Sequence, residues 1–398
     1  MNLQLKDNVI KVSGRIDSSN ASDFEEQLWK LVSEITSESN TEVKLDFDEL
    51  IYISSAGLRV LLKLIQKKYT VTVENVSDDV YDILDVTGFS QMLTVVKKSN
   101  EISIDDCEVI GIGSTGRVYK VNDELIIKLF DKGIPREAAE KEQLSARTAF
   151  INGVPTAIPF EVVEINGQYG LKYELMNGMT LGKAFSTMPE KFDELLEKYV
   201  ALVKKLKNIE IVKGSLEQTK DVLKNRFARV EKYLSDEDVK MFYELLDLIP
   251  EGKAFVHGDC HPGNIMVQNG ELLLVDMADA TMGPSYYEIT QIYSALYAFI
   301  KEGRGKGMTE QALNMKEEVT SKVWDAFIEK YLETSDQEEI NQFMGKLGLL
   351  RAVVTMPKIG IMPDEILSKF IPKIRDYLIN GTIRPNLDTI KALLAKGV

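Results

Sequence analysis

The sequence predicts an α/β domain followed by a two-lobed α+β domain whose second lobe is largely helical. Three observations predict this. Short β-patterned runs alternate with helical spacing as far as Val96, β-patterned hairpins around one helix fill Cys107 to Met176, and helical spacing dominates from Leu181 to Val398. The helical part is broken once, by a stretch from Val256 to Asp276 that holds both histidines of the chain. The expected divisions are therefore 1–98, a polar linker 99–105, a small lobe 106–177 and a large lobe 178–398.

Composition narrows the class. A chain of 398 residues with 44% hydrophobic and 28% charged content has room for two or three folded domains. No run of eighteen apolar residues exists, and Met1 to Asp7 has neither a basic nor an apolar leader character, so a cytoplasmic protein without a membrane span is expected. Two cysteines, Cys107 and Cys260, are too few for a disulfide framework and read as reduced thiols. A net charge of -14 argues against a broad nucleic-acid surface and would suit a cationic small-molecule partner.

In the first domain, Leu3 to Leu5 and Val9 to Val12 read as strands around the turn Lys6-Asp7-Asn8. Ser18, Ser19, Asn20 and Ser22 offer N-caps to a helix whose apolar face is Phe24, Leu28, Leu31, Val32 and Ile35. Glu42 to Phe47 is the next strand, Ser54 to Gly57 opens a helix through Leu58, Leu61, Leu62 and Ile65, and Thr70 to Glu74 is again a strand. Val80 to Leu84 reads as helical and Met92 to Val96 as the last strand. The pieces Gly14-x-Ile16-Asp17-x-x-Asn20-Ala21, Leu45-Asp46-Phe47 and Ile53-Ser54-Ser55-Ala56-Gly57-Leu58 resemble a STAS domain, the fold of anti-sigma factor antagonists. That resemblance implies a docking or regulatory domain with a protein partner, and it places Ser55 at the family's phosphorylated serine. Ser54 stands where the antagonists commonly carry an aspartate. A phosphate in the first turn of a helix would meet free N–H groups and the positive end of the dipole; equally, Ser54 can be simply a cap and Ser55 an early helical residue.

Lys97-Lys98-Ser99-Asn100-Glu101 carries no apolar period, and the second domain begins beyond it. Gly111-x-Gly113-Ser114-Thr115-Gly116-x-Val118 is a glycine-rich loop of the kind that cradles phosphates. A dinucleotide fold would follow it with a helix, but Val118 to Val121 is β-forming and turns at Asn122-Asp123 into Leu125 to Phe130, so the loop lies in a hairpin. Arg117-Val118 after Gly116 also excludes the lysine-bearing P-loop. Lys128 lies on the next strand, a helix is expected from Pro135 to Phe150 with Glu137, Glu140 and Glu142 on it, and Gly170 to Met176 reads as the last strand before the hinge Asn177-Gly178. Glu142 and Glu140 cannot share one helical face, since each residue turns the helix by about 100°.

In the large lobe, helical spacing runs from Leu181 to about Leu248 and resumes at Tyr286. Between them, Val256 to Asn264 reads V-H-G-D-C-H-P-G-N, with Asp259 and Asn264 five residues apart and Asp276 at the end of the apolar run Glu271 to Val275. A zinc site from His257, Cys260 and His261 is the rival reading, but the spacing is not a ligand frame and no C-x-x-C accompanies it.

The set H-G-D-x-H-P-x-N followed by V-D resembles the aminoglycoside phosphotransferase and choline kinase family, relatives of protein kinases. The resemblance implies a protein-kinase-like fold that uses ATP and Mg²⁺. It gives Asp259 the acceptor hydroxyl, Asn264 and Asp276 the metal, and Lys128 with the Gly111 to Gly116 loop (Gly111, Gly113, Ser114, Thr115, Gly116) the phosphates. It also chooses Glu142 over Glu140 and Glu137 as the partner of Lys128, and assigns the base to backbone groups of Glu174 and Met176. Only about ten residues separate Asp276 from the helix near Tyr286, without A-P-E, which favours a small hydroxyl-bearing substrate over a peptide. Two other expectations remain open: a signalling kinase acting on a STAS serine, its own Ser55 or a partner's, and an ATP-binding scaffold without activity.

Overall fold

The computed structural model of the chain describes residues 1–37, 40–98, 104, 107–113, 115–301 and 308–396. It divides into two compact units, Met1–Ile102 and Ser103–Val398.

The first unit is a sheet in the order β1 (Asn2–Lys6), β2 (Val9–Ile16), β3 (Glu42–Ile53), β4 (Thr70–Val76), β5 (Thr94–Lys97). β1 and β2 form an antiparallel hairpin across Asp7 and Asn8, both left-handed at φ 51° and 62°, the geometry that matches strand twist in a two-residue turn. The remaining pairs are parallel, joined by α1 (Ala21–Ile35), α2 (Ser55–Gln66) and α3 (Asp78–Val86). Phe24, Leu28 and Val32 of α1 and Leu58, Leu61 and Leu64 of α2 are buried in one cluster with Ile10, Val12, Leu45, Phe47, Val71 and Val73 of the sheet. β3 runs six residues past its predicted end at Phe47, because register shifts against β2 break the period of two that marks a strand in sequence. β5 begins at Thr94, two residues later than the pattern suggested.

The second unit opens with an antiparallel sheet in the order β6 (Glu108–Ile112), β7 (Gly116–Lys120), β8 (Leu125–Phe130), β10 (Gln168–Glu174), β9 (Pro159–Ile165), with α4 (Arg136–Ile151) after β8. The chain then enters a helical lobe through β11 (Met179–Thr180) and the helices α5 (Leu181–Thr187), α6 (Phe192–Leu206), α7 (Thr219–Phe227) and α8 (Asp236–Asp247). Two small ribbons follow: β12 (Ala254–Val256) pairs with β15 (Thr281–Gly283), and β13 (Ile265–Gln268) pairs with both β11 and β14 (Glu271–Leu274). α9 (Tyr286–Tyr293) passes through a π-helical segment, Ser294–Ala298, into α10 (Phe299–Lys301). α11 (Met308–Leu313), α12 (Glu317–Leu332), α13 (Gln337–Ile359), α14 (Asp364–Arg375) and α15 (Leu387–Lys396) complete the lobe. Tyr199, Phe255, Trp324 and Phe327 belong to one core, while Phe227, Phe242, Val353 and Ile379 belong to another, so α13 contributes to both through Leu347 and Val353. Among the described residues, no helix is long and apolar enough to cross a membrane.

Candidate active site

The glycine-rich segment is the turn of the β6–β7 hairpin, with Gly113 N–H donating to Gly116 O at 2.9 Å and Thr115 O accepting from Asp131 N–H at 2.9 Å. Gly116 is required by packing: a Cβ there would stand 2.2 Å from the Leu129 carbonyl oxygen, whereas one at Gly111 would meet Val118 at an ordinary 3.4 Å. Ser114 lies outside the described residues.

Lys128 faces inward from β8 and is nearly buried. Its Nζ lies 2.9 and 2.8 Å from the two carboxylate oxygens of Glu142 and 2.9 Å from Oδ1 of Asp276. Glu142, 2% exposed on α4, also accepts from the Tyr173 hydroxyl at 3.0 Å. Glu140 instead pairs with Arg136 at the surface at 2.7 Å, and Glu137 is exposed in the first turn of α4. Burial pulls the Lys128 ammonium down, but Glu142 and Asp276 outweigh it and hold it above the usual lysine range. At the hinge, Glu174 ends β10 with its N–H on Ile158 O, Leu175 N–H donates to Glu124 O, and Met176 follows, buried.

The loop from Val256 to Asn264 is fixed from below by backbone bonds. His257 N–H and Gly258 N–H both donate to Oε2 of Glu288, at 2.5 and 3.3 Å, from a buried carboxylate on α9. His257 Nε2 lies 3.0 Å from Val275 O, an acceptor, so the ring proton is on Nε2 and Nδ1 accepts the Asp259 N–H at 3.3 Å. Both nitrogens of His257 are therefore committed to backbone, which leaves none for the zinc frame. Burial pushes the Cys260 thiol well above its ordinary range. Gly258 adopts φ +79°, and a Cβ there would fall 2.8 Å from Asp279 O, so no larger residue fits between His257 and Asp259 without shifting the chain.

Asp259 is the centre of this loop. Asn264 Nδ2 donates to its main-chain O and to Oδ2, both at 3.0 Å; His261 Nε2 lies 3.3 Å from Oδ2; and Lys358 Nζ lies 3.3 Å from Oδ1. Burial would raise the Asp259 carboxyl, but the Lys358 charge and the His261 ring beside it outweigh that and hold it well below the usual carboxylate range. Asp276 sits just past β14 in the left-handed region, at φ 63° and ψ 78°, a conformation that costs a non-glycine residue about 1–3 kcal/mol and concentrates at functional sites. Leu274 N–H on Pro155 O at 2.7 Å, and the Thr156 hydroxyl on Leu274 O at 2.8 Å, tie its strand to the segment after α4. Asp279 pairs with Arg226 of α7.

Asn264 and Asp276 fit a magnesium ion by the chemistry of their donors. With Asn264 Nδ2 on Asp259, its amide oxygen is the atom left for a cation, and the part-exposed Asp276 supplies a carboxylate. Magnesium takes such hard oxygens and completes its shell with water and phosphate. Among the described residues, no cluster of three or more His, Cys, Asp or Glu side chains forms a metal cage.

Sequence reasoning missed Lys358, Gln291, Glu288 and Arg226. Glu288 had a readable signal: it is a carboxylate in Tyr286–Tyr293, a helix buried at every position. Lys358 lies 99 residues beyond Asp259 in the chain, and nothing local marks it.

The model of the phosphotransferase enzyme family matches residues 106–314, more than half of the chain, and the chain belongs to that family. The model of the Mlab, STAS domain family matches residues 1–95. No curated protein matches the chain. Among solved structures, it is similar to the ADP-bound aminoglycoside phosphotransferase APH(2'')-Ib at 16% identity and TM-score 0.43, over 79% of this chain and 97% of that one. A choline/ethanolamine kinase family protein from Mesorhizobium loti shares 13% identity at TM-score 0.44, over 75% of this chain and 95% of that one.

Proposed function

We propose that the second unit transfers the γ-phosphate of ATP to a hydroxyl of a small molecule, and that the first unit serves it as a docking or regulatory domain. The observation that carries this reading is that Lys128 joins Glu142 to Asp276 while Asp259 and Asn264 are bonded to each other, with the Asn264 main-chain carbonyl accepting the N–H of Val275, the neighbour of Asp276, at 3.0 Å. In this reading, Lys128 and the Gly111 to Gly116 turn hold phosphate oxygens, the hinge backbone at Glu174 and Met176 holds the base, and Asp259 takes the acceptor's O–H. Asn264 and Asp276 would hold Mg²⁺, which when bound neutralises charge on the phosphates. Phosphoryl transfer asks for positioning and charge stabilisation more than for a covalent group.

A small acceptor fits the short path from Asp276 to α9, where Thr281–Gly283 is tied into a strand pair with β12. A second reading has one observation in its favour. Ser55 is exposed in the first turn of α2, whose N-cap Ser54 accepts the Gly57 N–H at 3.4 Å. A phosphate there would be favoured by the helix N-terminus. One experiment tests both: ATP turnover against amino sugars, choline-like amines and sugars, with intact mass after Mg-ATP, for wild type, Asp259→Asn and Ser55→Ala. Asp259→Asn should bind ATP and lose turnover by about 100-fold or more. Near-normal turnover in it would sink the assignment. A phosphate gained by the protein and lost in both variants would instead favour the self-modifying reading.

A further inference from the structure

The two carboxylate oxygens of Asp259 are not equivalent. Oδ2 accepts Asn264 Nδ2 at 3.0 Å and lies 3.3 Å from Nε2 of His261. His261 Nδ1 accepts the Gly263 N–H at 3.1 Å, so its ring proton is on Nε2, the nitrogen beside Oδ2. With the Asn264 amide on Oδ2 and the His261 ring against it, an acceptor hydroxyl finds its room at Oδ1. That is the oxygen beside Lys358.

The Lys358 ammonium is held firmly on one side and loosely on the other. Its short bond is to Oε1 of Gln291, a buried residue of α9, at 2.8 Å; its contacts to Gly258 O and Asp259 Oδ1 are both 3.3 Å. It projects from the last turn of α13, next to the buried Pro357. The loop Val256–Asn264 contains no lysine or arginine, so a cation at its aspartate has to come from another element.

We propose that Lys358 is a catalytic residue of the phosphoryl transfer, its ammonium contacting the acceptor oxygen as that oxygen donates its proton to Oδ1 of Asp259. The inference rests on the phosphotransferase reading above. In the step, a lone pair of the acceptor oxygen forms the new bond to the γ-phosphorus. The bond from that phosphorus to the β–γ bridging oxygen breaks, with its electron pair leaving on ADP, and the hydroxyl proton passes to Asp259. Lys358 stays protonated throughout and offsets negative charge on the acceptor oxygen and the transferred group, as a donor held in place before the charge develops. Lys128 and Asp276 serve the nucleotide side, and Lys358 serves the acceptor side.

Basal hydrolysis of Mg-ATP, with water as the acceptor, tests this in the full chain without a known substrate. Lys358→Met should lower kcat about 100-fold or more, the range for losing one such donor, while KM for ATP and affinity for ADP stay within about threefold. Lys358→Arg, which keeps the charge, should recover at least about tenfold of that loss. Gln291→Leu, which removes the anchor but not the charge, should lower kcat with the same unchanged KM, and it decides the matter if Lys358→Met no longer binds ADP. The inference is overturned by a Lys358→Met kcat within threefold of wild type, by a Gln291→Leu loss matched in ADP affinity, or by an arginine variant no better than methionine. A wild type that binds ADP and hydrolyses nothing overturns the phosphotransferase reading together with the inference; an active wild type beside an unimpaired Lys358→Met overturns the inference alone.

Discussion

Glu142 carries the charge balance around Lys128. It takes two bonds from Lys128 and one from the Tyr173 hydroxyl, and it is almost wholly buried. Glu142→Gln keeps the shape and removes the charge, so Lys128 is left to pair with Asp276 alone and is drawn toward it. Hydrogen bonds to charged groups contribute about 1.5–3 kcal/mol, so affinity for Mg-ATP should fall roughly ten- to a hundredfold. Titration calorimetry on the variant checks it, and unchanged affinity would remove Glu142 from the site. Lys128, Asp259, Asn264 and Asp276 were legible because short motifs fix their spacing within a loop or strand end. Glu142 could be chosen among three glutamates only with the help of the family pattern, since each of them suits a solvated helical face. Lys358 and Gln291 were not legible, because which residues of α13 and α9 meet is decided by helix packing across 67 residues of chain.

At the scale of elements, β3 shows both what alternation reveals and where it stops. Its first half reads plainly as a strand, and the register shifts against β2 hide the second half. The π-helical stretch Ser294–Ala298 left no mark either, because it is only five residues long and sits between α9 and α10. Near the middle of β3, the Asp46 carboxylate ties the strand to both of its neighbours, with Oδ1 accepting Asn75 Nδ2 of β4 at 2.9 Å and Asp48 N–H at 3.0 Å, and Oδ2 lying 3.4 Å from Lys11 Nζ of β2. Burial works to raise this carboxyl, but those hydrogen bonds and Lys11 outweigh it and leave it below the ordinary value of 3.8. A carboxylate whose folded pKa is depressed adds stability above its unfolded value and loses it as pH falls through the folded one. Asp46→Asn should therefore unfold a few degrees lower at pH 7, for a loss of about 1–2 kcal/mol in a domain of this size. The gap between variant and wild type should close below pH 3.8, as thermal melts at pH 7 and pH 3 would read. A gap of the same size at both values would mean that the asparagine has disturbed packing and that the charge is not what β3 uses.

At the scale of the molecule, each unit buries its own core, with Phe24, Leu45 and Val73 in the first, and in the second two clusters, around Trp324 and around Phe242, that α13 joins. Separate cores of this kind unfold as separate cooperative transitions unless something couples them. Scanning calorimetry of the full chain should thus resolve two transitions. ADP with Mg²⁺ at 100 times its dissociation constant stabilises whatever binds it by about 2.7 kcal/mol, which should raise the transition of the larger unit by several degrees. Val43→Ala, which opens a cavity at a fully buried position of β3, should lower the other transition alone. If nucleotide shifts only the larger unit, the first unit does not sense the state of the site, which speaks for docking over regulation. If both transitions move, or merge into one that moves as a whole, folding of the first unit is linked to nucleotide binding in the second. Linkage is reciprocal, so any partner or phosphate acting on the first unit would then change affinity at Lys128 and Asp259 by the same coupling free energy.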